Sequence, residues 1–160
     1  MSSTPVAFLP TLSTVAAVSG AAVGGLFYAF STFVMRGLDR TGPADAVTAM
    51  RGINAEAQAN GPFLTLFLGS ALVALAVGIA AWVQLRVPGS GWILAGAVLA
   101  LVPLIVTVAF NIPLNNRLAA TGSTAIAWPD YFRAWTRWNH VRTVAPLIGS
   151  VLMVIGVRLR

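Results

Sequence analysis

The chain has 160 residues, of which 58% are hydrophobic and only 9% charged, and its net charge is +6. A soluble domain carries about a quarter of its residues as charges, so this composition cannot clothe a water-facing surface and points to an integral membrane protein. No cysteine is present, which excludes disulfides, thiolate metal sites, iron–sulfur clusters and thiol redox relays.

Four apolar stretches follow in chain order, at about 8–35, 62–83, 92–110 and 143–157, against the roughly 20 apolar residues that a helix needs to cross a bilayer core. The first follows MSSTPVAFLP, which has no basic segment, so it reads as a retained span and not as a cleaved signal. Inside it, Gly20-Ala21-Ala22-Val23-Gly24 is a small-xxx-small pattern that lets backbones approach closely. Packing within the bundle and a homo-oligomer face account for it equally well. In the loop that follows, Pro43 suits a first helical position and Asp45 a first turn, where the helix dipole favours an acid. The helix begun there is expected to run through Gly61-Pro62, kinked, into the second span. A short connection at 84–91, flanked by Trp82 and Trp92 in interfacial positions, leads to the third span.

That span ends in AFNIPLNNRLA, where Asn111 and Asn115 share a helical face with Thr107 and Pro113 removes a backbone donor between them. A kink or unwound turn is expected there. Trp128-Pro129-Asp130 then reads as the start of a helix that continues through WTRWNHVRT into the fourth span. A helix from Pro129 to Val157 is about 43 Å long and overshoots a core of about 30 Å, so its first turns stand outside the membrane or pack on the first loop.

The expected fold is therefore all-α: an integral membrane four-helix bundle, one domain over 1–160. Helices 2 and 4 extend on one side, where 36–61 and 111–142 form a polar end. All four acids and seven of the ten arginines lie on that side, which favours long loops in the cytoplasm, in a bacterial cytoplasmic membrane. The arginines flank spans rather than a soluble face. The expected partner is thus the lipid bilayer and no nucleic acid.

On a helical wheel Tyr131, Trp135, Trp138, Asn139 and Arg142 share one face, continued by Pro146, Gly149 and Met153; Arg133, Arg137 and His140 lie opposite. Asn139 and Arg142 at the mouth of a membrane bundle are costly unless they are paired or face a cavity. Asn54 and Asn60, with Arg51 and Glu56, precede the second span, and Tyr28 and Thr32 stand near the same end of the first. Four helices thus bring hydrogen-bonding groups to one end. One histidine and no cysteine leave a transition-metal site poorly supplied, with carboxylates the other ligands on offer, and there is no glycine-rich phosphate loop or serine elbow. No metal or cofactor is expected. Aromatic walls, amides and an arginine suit a flat, oxygen-bearing, lipophilic ligand whose developing anion needs stabilising.

FNIPLNNRLA, the W-x-x-W-N-H-x-R run some twenty residues later and the IN…NGP segment together resemble the anthrone oxygenase-like membrane family. This is a bacterial family of unassigned function that includes fungal anthrone oxygenases, and the likeness covers nearly the whole chain. The resemblance implies oxidation of an anthrone-type phenolic substrate by O2 with no recognised prosthetic group. It implies that Trp135 and Trp138 flank the ligand and that Asn111, Asn115, Asn139 and Arg142 hold its oxygens; Asn54 and Tyr28, by their place at the polar end, are expected to complete the substrate site. His140, as an imidazole, is the side chain suited to proton transfer near neutral pH, but it falls on the outward face. Two other readings stand beside the oxygenase. One is a non-catalytic small-molecule binder or accessory subunit with a structural polar cluster, and the other is a metal- or haem-dependent redox protein using His140.

Overall fold

The computed structural model describes residues 8–120 and 128–160. Five helices account for nearly all of them: α1 (Phe8–Asp39), α2 (Pro43–Ala59), α3 (Gly61–Val83), α4 (Ser90–Ala120) and α5 (Trp128–Arg158). All but α2 are long and apolar enough to cross a membrane. They form the expected all-α bundle, in which α1 and α4 each pack against both α3 and α5, while α3 and α5 stand diagonally opposite with no close approach of their backbones. The outer faces carry Val18, Leu72, Ile79, Val98, Ile105 and Val151, all exposed, as a lipid-facing surface requires.

The apolar spans read from sequence are the inner parts of longer helices. α1 continues to Asp39 through a π-helical turn at Phe30–Val34, and α4 continues past Phe110 to Ala120 through a second π-turn at Thr107–Asn111. Pro113 explains the second: in a regular helix its ring would strike the Ala109 carbonyl, and the wider π-turn just before it relieves that clash. The expected kink is thus an added residue in one turn and the helix goes on. Gly42 takes φ +90°, a conformation open to glycine, and Pro43 starts α2.

At Asn60 the expectation of one kinked helix gives way. Asn60 leaves helical geometry at φ −79°, ψ 104°, and its side-chain oxygen accepts from the Phe63 amide at 2.9 Å. It is an N-cap, so α2 and α3 are two helices. Freed from the axis of α3, α2 lies across the polar end and packs on α1, α4 and α5.

Two cores result. Within the spans, small and medium residues such as Ala16, Ala74, Val77, Ile93, Ala97 and Met153 fill the interior. At the polar end Met35, Val47, Met50, Leu118, Trp128, Tyr131 and Trp135 form a second cluster under α2. Trp128 Nε1 donates to Asp39 Oδ1 at 2.8 Å, joining the start of α5 to the end of α1. Arg51 donates to the Leu118 carbonyl from Nε at 3.0 Å and from Nη2 at 2.7 Å, satisfying one of the orphan carbonyls that end α4.

α5 is held by close-packed small residues on two sides. Gly20 and Gly24 of α1 face Ser150, Pro146 and Leu147 of α5, so the small-xxx-small pattern serves the bundle. Ser150 Oγ lies 2.7 Å from the Ala17 carbonyl and ties the same seam. Across the other seam, a Cβ on Gly149 would stand 2.6 Å from the Gly96 carbonyl oxygen. Gly149→Ala should therefore lower stability by about 2 kcal/mol, read as a lower thermal unfolding midpoint in detergent. Gly25→Ala, where a Cβ meets nothing within 4 Å, should leave the midpoint unchanged or slightly raised.

Candidate functional site

The buried face of α5 through the polar end is Tyr131, Trp135, Asn139, Arg142 and Thr143. Asn139 is fully buried. Its amide nitrogen donates to the Phe27 carbonyl at 2.7 Å and to Ser31 Oγ at 2.8 Å, and its oxygen accepts from Arg142 Nη2 at 2.8 Å. Thr143 Oγ1 donates back to the Asn139 carbonyl at 2.9 Å, which leaves Ser31 Oγ to donate to Thr143 Oγ1 at 3.0 Å. The directions are mutually forced: amide to serine, serine to threonine, threonine to carbonyl. Ser31 belongs to the first π-turn.

The second π-turn supplies the other half. Its Thr107 Oγ1 accepts from Arg142 Nη1 at 3.1 Å, and its Asn111 Nδ2 donates to the Trp135 carbonyl at 3.4 Å. Both π-turns flank the polar segment of α5, a distortion that recurs at functional sites. The Arg142 Cζ lies over the Phe27 ring at 4.3 Å and over the Trp135 ring at 4.8 Å, cation–π contacts that strengthen when desolvated. Asn115 Oδ1 fixes the Trp135 ring by accepting from its Nε1 at 3.0 Å, and also accepts from the Tyr131 hydroxyl at 2.9 Å. Asn54 Nδ2 approaches the Tyr131 oxygen at 3.5 Å.

Beside this network lies a cavity of about 680 Å³, bounded by all five helices. It forms where α3 stands apart from α5 and α2 crosses above. Phe27, Phe30, Phe63, Phe67 and Trp135 give it aromatic walls; Asn54, Glu56, Thr107, Asn115, Asn116 and Arg142 give it polar ones. Phe63 and Phe67 stack at 5.6 Å, and Phe27 meets Phe67 edge-on at 5.9 Å. Its volume falls within the range of about 300–1,000 Å³ usual for small-molecule sites.

The structure divides the residues singled out in the sequence. Arg142, Trp135, Asn115 and Asn54 line the cavity. Asn111 and Asn139 are buried in the network behind its wall. Trp138 stacks on Phe110, with ring centroids 3.6 Å apart and Arg137 over its ring, away from the cavity. His140 is exposed. Tyr28 is 57% exposed and its neighbour Phe27 takes the inward position; Thr32 bonds back to the Tyr28 carbonyl of its own helix. Sequence reading passed over Ser31, Thr143, Asn116 and the phenylalanines. The i, i+4 pairs Phe27–Ser31 and Phe63–Phe67 carry their signal, hidden by the uniformly apolar spans. Among the described residues no cluster of three or more histidine, aspartate or glutamate side chains is placed to hold a metal.

Four apolar helices packed in a ring define an α-helical integral membrane protein. The family model for anthrone oxygenase matches residues 57–152, and the chain belongs to that family. The match runs from the end of α2 through α3 and α4 into α5, so it includes Asn115, Trp135, Asn139 and Arg142 and leaves out Phe27 and Ser31 of α1. No curated protein and no solved structure matches the chain.

Asn139→Ala strands the Phe27 carbonyl and one donor of the buried Arg142. It should cost about 3 kcal/mol, seen as a large drop in the detergent unfolding midpoint. His140→Ala, on the exposed face, should change stability by less than about 0.5 kcal/mol.

Proposed function

We propose that the protein is a membrane-embedded oxygenase that oxidises a lipophilic phenolic substrate of the anthrone type with O2 and without a prosthetic group. The observation that carries this reading is the aromatic cavity with Arg142 in its wall, in a member of the anthrone oxygenase family. An anthrone is a flat tricyclic ketone whose ring methylene loses a proton to give an electron-rich enolate. The protein has to bind the rings, take the proton and steady the oxyanion. Phe27, Phe63, Phe67 and Trp135 offer apolar surface for the rings. Arg142 lies in the cavity wall, and on this reading an Nη donor not taken by Thr107 or Asn139 meets an oxygen on the substrate.

For the proton, Glu56 is the carboxylate among the cavity-lining residues, held at Oε1 by Asn60 Nδ2 at 3.1 Å. Glu56 takes one methylene proton, and the enolate, stabilised at oxygen by Arg142, reduces O2 and forms a C–O bond. Protonation gives a hydroperoxide, and loss of the second methylene hydrogen with water leaves a carbonyl. The sum is CH2 plus O2 to C=O plus H2O. His140 faces outward and takes no part.

Oxygen uptake by the purified protein with an anthrone tests this. Wild type should consume O2 above the spontaneous rate; Arg142→Ala and Glu56→Gln should each lose about a hundredfold or more, and His140→Ala should stay within about twofold of wild type. Binding of the anthrone with no oxygen uptake would instead favour a small-molecule binder.

A further inference from the structure

The charge balance around Arg142 is incomplete. A guanidinium stays protonated in proteins, and this one is only 4% exposed. The chain has four acids, and none of them forms an ion pair with Arg142 among the described residues, although Glu56 lines the same cavity. Asp39 accepts from Trp128, Glu56 from Asn60 and Asp130 from Arg133, while Asp45 lies in the exposed first turn of α2. The partners of Arg142 are all neutral: one threonine hydroxyl, one amide oxygen and two ring faces. Of its five N–H donors, one goes to Thr107 and one to Asn139, which leaves three, and Nε is buried with no acceptor. A buried, unpaired cation in a membrane bundle is costly, and this one opens onto the cavity.

We propose that the cavity takes an aromatic anion: a ligand that arrives with a carboxylate, or an equally acidic group, on its flat ring system and pairs with Arg142 in the resting complex. This rests on the reading of the cavity as the substrate site, and it narrows the substrate from a neutral phenolic ketone to an acidic one. Arg142 then has two tasks in sequence. It selects the ligand by charge, and it holds that charge beside the ring oxygen while the enolate forms. Phe27 and Trp135 place apolar ring surface beside the guanidinium, so a ligand that is both aromatic and anionic suits the surroundings of this charge. The neutral partners serve the same end: a carboxylate on Thr107 or Asn139 would cancel the charge that the ligand is to meet.

The probes are anthracene-9-carboxylate and its neutral analogue anthracene-9-methanol, measured by equilibrium dialysis against protein-free neutral micelles. Wild type should bind the carboxylate at least about tenfold more tightly, the value of a hydrogen-bonded charge pair. Arg142→Gln should bring the two affinities within about twofold, while Arg142→Lys keeps the preference. Arg137→Gln removes an exposed cation near the same depth and should leave the preference intact. Equal affinities in wild type overturn the proposal, as does an Arg137→Gln effect as large as that of Arg142→Gln. Should Arg142→Gln not fold, wild type against Arg137→Gln still decides. In nanodiscs, replacing half the phosphatidylcholine by phosphatidylglycerol should not abolish the preference. If it does, Arg142 answers to a lipid phosphate and the assignment to an aromatic acid falls. Oxygen uptake is scored separately. Turnover of a neutral anthrone without any carboxylate preference sinks this inference and spares the oxygenase; preference without uptake does the reverse.

Discussion

A single positive charge placed inside an apolar bundle organises the polar end of this protein. Burying an arginine costs several kcal/mol unless its donors are met, and the surrounding structure meets two of them and sets two aromatic rings beside the charge. Asn139 takes one donor and is itself anchored to α1 by the Phe27 carbonyl and Ser31. Thr107 takes another from α4. The two π-turns belong to the same arrangement, since Ser31, Thr107 and Asn111 all lie within them. Each inserts a residue that turns a polar side chain toward α5.

The cavity follows from unequal packing around the ring of helices. α5 is drawn tightly onto α1 and α4 because glycines face it on both: Gly20 and Gly24 on one side, Gly96 against Gly149 on the other. α3 has no such contact with α5. At its N-terminal end it presents Phe63 and Phe67 instead. Backbones that approach closely leave no room between them; aromatic side chains across a diagonal leave a pocket. The cap at Asn60 completes the enclosure by releasing α2 to cross the top.

Much of α5 was legible in the sequence. The wheel that grouped Tyr131, Trp135, Asn139 and Arg142 and set Arg133, Arg137 and His140 apart describes a continuous 31-residue helix, and burial follows it. The same rule misled for Trp138, which sits at the edge of that face and is taken by Phe110. Tyr28 is singled out by its place near the polar end and not by a wheel, and in a span apolar on every side the more polar residue does not mark the inside. Phe27 faces in, and Tyr28 faces out. Pro113 signalled a disturbance but not its kind, since a kink, a break and a π-turn all remove the same clash.

What the sequence by itself determined is the class of molecule and the chemistry available to it: four spans, an all-α bundle, one polar end, and the family that the matched segment carries. These depend on composition and periodicity, which are local. Tertiary structure decided which polar groups serve the cavity and which hold it up. Asn115 and Asn139 look alike in sequence. One reaches the cavity wall while the other is buried behind it, because α1, bearing Ser31 and the Phe27 carbonyl, packs against α5 at Asn139. That contact joins residues more than a hundred positions apart, and no local pattern encodes it.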